Sequence, residues 1–141
     1  MRKLNSLICF LFCMIFVCCG NELNIQKKLH FKNNEITIVA DLNKVAYKSL
    51  NSKNQTLLKG IVIVTNITQK ETSFNLGKVK LLYENITGKI YIDSIASYLI
   101  TEKTFKKEEK NTYKVYWVFD RLISEKDLVN LKLIYELSVP K

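Results

Sequence analysis

From residue 35 onward the apolar residues of this chain recur at every second position, and that period decides most of what the chain can become. A helix gathers one face from every third or fourth residue. A strand sends successive side chains to opposite sides of a sheet. In "NEITIVADL", Ile36, Ile38, Ala40 and Leu42 share one side. In "GKVKLLYEN", Val79, Leu81 and Tyr83 oppose Lys78 and Lys80. In "GKIYIDSI", Ile90 and Ile92 oppose Tyr91 and Asp93. In "TYKVYWVFD", Tyr113, Val115, Trp117 and Phe119 alternate with Lys114, Tyr116 and Val118. In "NLKLIYEL", Leu131, Leu133, Tyr135 and Leu137 alternate with Lys132, Ile134 and Glu136. "LLKGIVIVTNI" is apolar almost throughout and β-branched at Ile61, Val62, Ile63 and Val64, as in a central strand covered on both sides. A further strand is predicted around "ASYLITEKTF", and Asn43–Leu50 reads equally as a helical turn or an irregular strand.

One short helix is expected near residues 124–130. Ser124 is placed to cap its first turn, with Asp127 three residues on returning toward the cap's amide, and Glu125 and Asp127 suit the positive end of the helix dipole. Six or seven alternating strands in about a hundred residues, with one helical turn, predict an all-β fold, an antiparallel β-sandwich of about seven strands. A small barrel is the alternative. Between residues 35 and 137 the order of features resembles a telokin-like, immunoglobulin-fold group of small bacterial lipoproteins and secreted proteins. There, a strand of the form V-x-V-T-N-x-(S/T), here "VIVTNIT", leads into a polar turn, and a late charged loop leads into an aromatic strand ending in Phe, here "FKKEEKNTYKVYWVF". The chain departs from that pattern at Lys106-Lys107-Glu108, where the group has Pro-Gly. The resemblance implies an immunoglobulin-like sandwich and no common enzymatic activity.

The first residues follow a different rule. Arg2 and Lys3 are followed by 13 residues, Leu7 to Cys19, without a polar side chain. A basic start and an apolar core this short describe a secretory signal peptide, since a membrane-spanning helix needs about 20 residues. The end of the run, "FVCC", resembles the lipobox of bacterial lipoproteins, in which a small residue precedes an acylated cysteine. Cys18 is small enough for the position before the cut, whereas modification of Cys18 itself would put bulky Val17 there. The resemblance therefore implies a diacylglycerol thioether on Cys19, with Cys18 the less favoured site. Phe16 stands where the pattern usually has Leu, and cleavage without lipid is the alternative. This divides the chain into a signal peptide (1–18), a lipidated tether (19–33) and an immunoglobulin-like sandwich (34–141). It implies an exported protein of the cell envelope, held at a membrane by lipid. Gly20 is not the inner-membrane retention residue Asp, which points to the outer membrane in a Gram-negative cell.

Composition narrows the chemistry. All four cysteines lie in the first nineteen residues, so the domain has neither disulfide nor thiol chemistry. His30 is the single histidine, which argues against a zinc site and a Ser-His-Asp triad. Gly20, Gly60, Gly77 and Gly88 are too dispersed for a phosphate loop. These features point to no catalytic residues, no cofactor, no metal and no enzyme. Twenty basic residues against thirteen acidic ones remain once Arg2 and Lys3 are set aside. Export and the lack of an aromatic-basic stripe argue against nucleic acid. The outward Lys78, Lys80, Lys114 and Lys132 offer a basic face to anionic lipid. Three Asn-x-Thr sequons, at Asn54, Asn66 and Asn85, are expected by chance in an Asn-rich chain.

What remains is a non-enzymatic module binding an envelope or extracellular protein, a structural or assembly subunit of an envelope complex, or a freely secreted binding domain. Tyr91, Tyr116 and Val118, on the outward sides of their strands, are the predicted binding surface, and Trp117 is a core residue. The lipid expectation has a direct check. The intact mass of detergent-extracted protein should equal residues 19–141 plus acyl chains, and the Cys19→Ser variant should lack that species; an unacylated wild-type mass would refute it.

Overall fold

Alternation becomes antiparallel pairing almost everywhere. The computed structural model describes residues 21–50, 52–92 and 102–136. It contains nine strands: β1 (Glu22–Lys32), β2 (Ile36–Leu50), β3 (Lys53–Asn66), β4 (Thr72–Asn75), β5 (Val79–Tyr83), β6 (Ile86–Ile92), β7 (Glu102–Phe105), β8 (Lys110–Phe119) and β9 (Lys132–Tyr135). Seven of them form one antiparallel sheet in the order β1-β2-β3-β8-β6-β5-β9, and β4 and β7 form a second, two-stranded sheet. The all-β sandwich expected from the alternation is what the chain forms. Its walls are the two halves of one curled sheet, so the end strands β1 and β9 meet: the rings of Phe31 and Tyr135 lie 6.1 Å apart.

The inward residues are those the period selects. Ile36, Ile38, Ala40, Leu42, Leu58, Val62, Val64, Val79, Leu81, Val115, Trp117 and Phe119 are buried in one cluster. Two expectations need correction, and one open alternative is decided. Residues 22–32, read as tether, form edge strand β1, paired with β2 from Glu22↔Ala46 to Lys32↔Thr37 with one bulge between Asn24 and Lys27. Leu23, Leu29 and Phe31 alternate there, but the intervening lysines hide the period. Asn43–Leu50 continues β2 past a bulge between Leu42 and Lys44. Gly60 lies opposite Leu42 at this bulge, where a Cβ would stand 2.2 Å from the carbonyl oxygen of Asp41, so only glycine lets the strands approach. Finally, β3 meets the core on its inner side, and its outer side is covered only in part: Ile61 and Ile63 are half-buried there.

The short helix is a 3-10 turn, Glu125–Asn130. Ser124 accepts from the Asp127 amide (3.3 Å), while the Asp127 carboxylate accepts from the Ser124 hydroxyl (2.7 Å) rather than from the cap's amide. Where the resembled group has Pro-Gly, Glu108 takes the left-handed conformation itself (φ 56°). The Glu109 amide donates to the Lys106 carbonyl (3.1 Å), and its side chain accepts from the Lys106 amide (2.8 Å), closing the turn.

Two features shut the open side. Phe74 of β4 stacks against Phe105 of β7 (5.5 Å), Tyr113 of β8 (6.3 Å) and Tyr135 of β9 (5.4 Å). Burial pushes the phenol pKa of Tyr113 and Tyr135 above the ordinary value. Beside this stack, Asn66 is fully buried. Its amide nitrogen reaches the carbonyls of Lys70 (2.7 Å), Phe105 (3.2 Å) and Lys106 (3.0 Å), and its oxygen accepts from the amide and hydroxyl of Thr68, both at 2.9 Å. The sequon at Asn66 is thus a loop clamp whose nitrogen is closed to a glycan, whereas Asn54 and Asn85 are exposed.

Phe74→Ala should cost about 3–5 kcal/mol, since no side chain can collapse into the centre of that stack. Asn66→Asp should cost about 2 kcal/mol or more, because the oxygen that replaces its nitrogen then faces three carbonyls without a donor. Urea unfolding of both variants checks this. Raised tyrosine pKa values stabilise the fold below their unfolded value, and that contribution is lost as pH rises through the folded values. Stability should therefore fall above about pH 10, and Tyr135→Phe should blunt the fall.

Candidate functional site

Strands β1, β2, β3, β8 and β6 turn one wall of the curled sheet outward, and register decides which side chains meet there. Tyr116 lies directly opposite Tyr91 on one side and Lys59 on the other. Val118 lies opposite Leu57 and Lys89. The Tyr91 and Tyr116 rings stack at 5.2 Å with 15° between their planes, and both are half-buried. Such a pair contributes about 0.5–1.5 kcal/mol beyond its buried area.

The three residues predicted for a binding surface are therefore brought together. The sequence does not reveal what surrounds them. Ala46 and Leu57 face outward by register yet are only 2% and 9% exposed. With Val118 and the tyrosines they give the outer wall an apolar floor of its own. Glu22, at the start of β1, bridges Lys44 (3.2 Å) and Lys59 across this floor. The hydrogen bond from Lys59, then that from Lys44, holds the Glu22 carboxyl below its ordinary pKa. Nearby, Lys28 pairs with Asp41 (3.6 Å). Lys32, Lys89, Lys110 and Lys114 also belong to this face, with no acidic partner among the described residues. The uninterrupted apolar run of β3 was the signal that could have marked this wall, because its odd-numbered members need a neighbour other than the core.

The four lysines expected to share a basic face are separated. Lys114 belongs to this wall, while Lys80 and Lys132 lie on β5 and β9 at the far end of the strand order, and Lys80 is held by Glu136 at 2.6 Å. His30 is exposed on β1. No three His, Cys, Asp or Glu side chains among the described residues could hold a metal ion. An open depression at the β1 bulge, lined by Asn24, Ile25, Gln26, Lys28, Asp41 and Asn43, contains one carboxylate, which Lys28 already pairs. Trp117 is fully buried in the core, and its indole N–H has no partner there. Cys18 and Cys19 lie outside the described residues.

No protein-family model, no curated protein and no solved structure matches the chain.

A lowered folded pKa means that the Glu22 bridge stabilises the fold above the unfolded carboxylate value and that this contribution is lost as pH falls through the folded value. Glu22→Gln should therefore unfold more readily than wild type near neutral pH, and the gap should close below about pH 4. Thermal unfolding of both proteins along a pH series checks the convergence.

Proposed function

We propose that the protein is an exported lipoprotein, anchored through Cys19, whose β-sandwich is a non-enzymatic module for binding another envelope protein. The observation that carries this reading is the stacked Tyr91–Tyr116 pair. Two large aromatic rings are rigid, lose little freedom on contact and combine an apolar body with a polar tip, which is why tyrosine concentrates at protein interfaces. Here they stand half-exposed beside Val118 and over the apolar floor of Ala46 and Leu57. The surrounding lysines would form a polar rim and favour an acidic partner. The single carboxylate of the depression, already paired, supports binding over hydrolysis.

The experiment is site-specific photo-cross-linking in intact cells, with benzoylphenylalanine in place of Tyr116 and, as a control, of Lys132 on the opposite wall. A discrete adduct from position 116 that is absent from 132 is the expected result. Matching adducts from both positions, or none from 116, would count against this wall as the contact surface. Adding Tyr91→Ala should weaken the adduct several-fold, because an interface aromatic typically contributes about 1–2 kcal/mol or more.

A further inference from the structure

Strand β1 begins at Glu22, three residues after Cys19, so a lipid on that cysteine leaves almost no slack. Three residue steps span at most about 11 Å. Whatever part of the domain surrounds the start of β1 must then lie at the bilayer surface. Register identifies that end. Glu22 is level with Ala46, Leu57 and Val118. The β2–β3 hairpin, the turn between Tyr83 and Ile86, and the segment 120–131 all lie there.

This end is unusual in its side chains. Four large apolar residues are exposed among the described residues: Leu23 (40%), Leu122 (49%), Val129 (68%) and Ile67 (39%). The first three belong to the end where β1 starts; only Ile67 belongs to the other. The backbone around two of them holds them outward. Thr56 donates to the Arg121 carbonyl (2.7 Å) and accepts from the Ile123 amide (2.8 Å), while the Tyr47 hydroxyl donates to the Ile123 carbonyl (2.9 Å). Leu122 is fixed between those anchored neighbours. In the 3-10 turn Leu128 is buried, which leaves the adjacent Val129 facing away.

Charge at this end is mixed. Glu84 is paired with Arg121 (2.7 Å), while Asp120, beside Gln55 (2.7 Å), Asp127, beside Ser124 (2.7 Å), and exposed Glu125 are not offset by a salt bridge among the described residues. Lys48, Lys53 and Lys126 have no acidic partner among the described residues and are exposed. Exposed apolar residues at the end that also carries exposed Lys48, Lys53 and Lys126 fit the interfacial zone of a bilayer, where apolar groups enter the acyl boundary and lysines meet headgroup phosphates. The opposite end, with Lys70, Lys106, Lys107 and Glu108 exposed, has a polar loop surface.

We infer that this end, with Leu23, Leu122 and Val129, seats in the phospholipid bilayer that carries the protein's own anchor, so that the strands rise from the membrane. The inference rests on the lipid-anchor reading and extends it. The Tyr91–Tyr116 pair then stands two residues above the Val118 level, about 7 Å further along the strand, and faces sideways. Its partner must itself lie close to the membrane.

The test uses the mature protein, purified in detergent, its acylation confirmed by intact mass, and reconstituted into phosphatidylethanolamine–phosphatidylglycerol nanodiscs. The chain has no cysteine after Cys19, whose thiol is blocked by the lipid. A bimane label on Leu122→Cys or Val129→Cys, or on Lys107→Cys at the opposite end, therefore reports one place. Brominated acyl chains should quench the labels at 122 and 129 at least about threefold more than at 107. Equal quenching at both ends in a lipidated protein would overturn the seating alone. Shielding at 122 and 129 that grows with protein density but not with brominated lipid would assign the end to a second copy instead. A mass without acyl chains would overturn the anchor and the seating together.

Discussion

A curled sheet has one side that its own strands do not cover, and this protein must close that side by packing alone. The closing element is the stack centred on Phe74. It draws Phe105 from the small sheet, Tyr113 from β8 and Tyr135 from β9 into one aromatic cluster, and Tyr135 reaches Phe31 on β1. Five strands from distant parts of the chain are therefore joined in one aromatic cluster. The Asn66 clamp holds the neighbouring loops at the positions where β4 and β7 can meet. Removing the stack would open the sandwich along the β1–β9 seam, because those two edge strands share no ladder of hydrogen bonds.

Closure from the inside frees the outside. With the core assembled from one side of each strand, the apolar residues left over on β2, β3 and β8 collect on the outer wall, where Ala46 and Leu57 are buried and the stacked tyrosines are half-buried. The Glu22 bridge ties β1 to this wall at the point where the chain enters. Edge strand, proposed contact surface and proposed membrane-facing end are thus neighbours. On that proposal the anchored domain would present the Tyr91–Tyr116 wall at a fixed height above the bilayer.

Much of this was legible in the residues. Inward and outward assignments on β2, β5, β6, β8 and β9 follow from the period of two, because a one-residue slip would place every apolar side chain in water. The Ser124 cap was readable from a local pattern of hydrogen-bonding side chains. Strand β1 was missed because Lys27, Lys28 and Lys32 give an edge strand the composition of a linker, and edge strands carry lysine for the very reason that their free side faces water. The role of Asn66 was hidden because two of its partners, the carbonyls of Phe105 and Lys106, lie 39 and 40 residues away along the chain.

The sequence by itself determined the all-β class, the facing of most strands and the burial of Trp117, since these depend on local periodicity and the transfer of apolar groups from water, whereas it gave about seven strands where the structure has nine. It also brought Tyr91, Tyr116 and Val118 forward as outward residues. Only the tertiary structure decided that Tyr91 and Tyr116 stack, that Glu22 reaches Lys44 and Lys59, and that Leu23, Leu122 and Val129 share one end. Those facts depend on strand order, and strand order is set by which of several compatible edges pair to close the core. No local pattern encodes that choice, because it is made by the packing of residues a hundred positions apart.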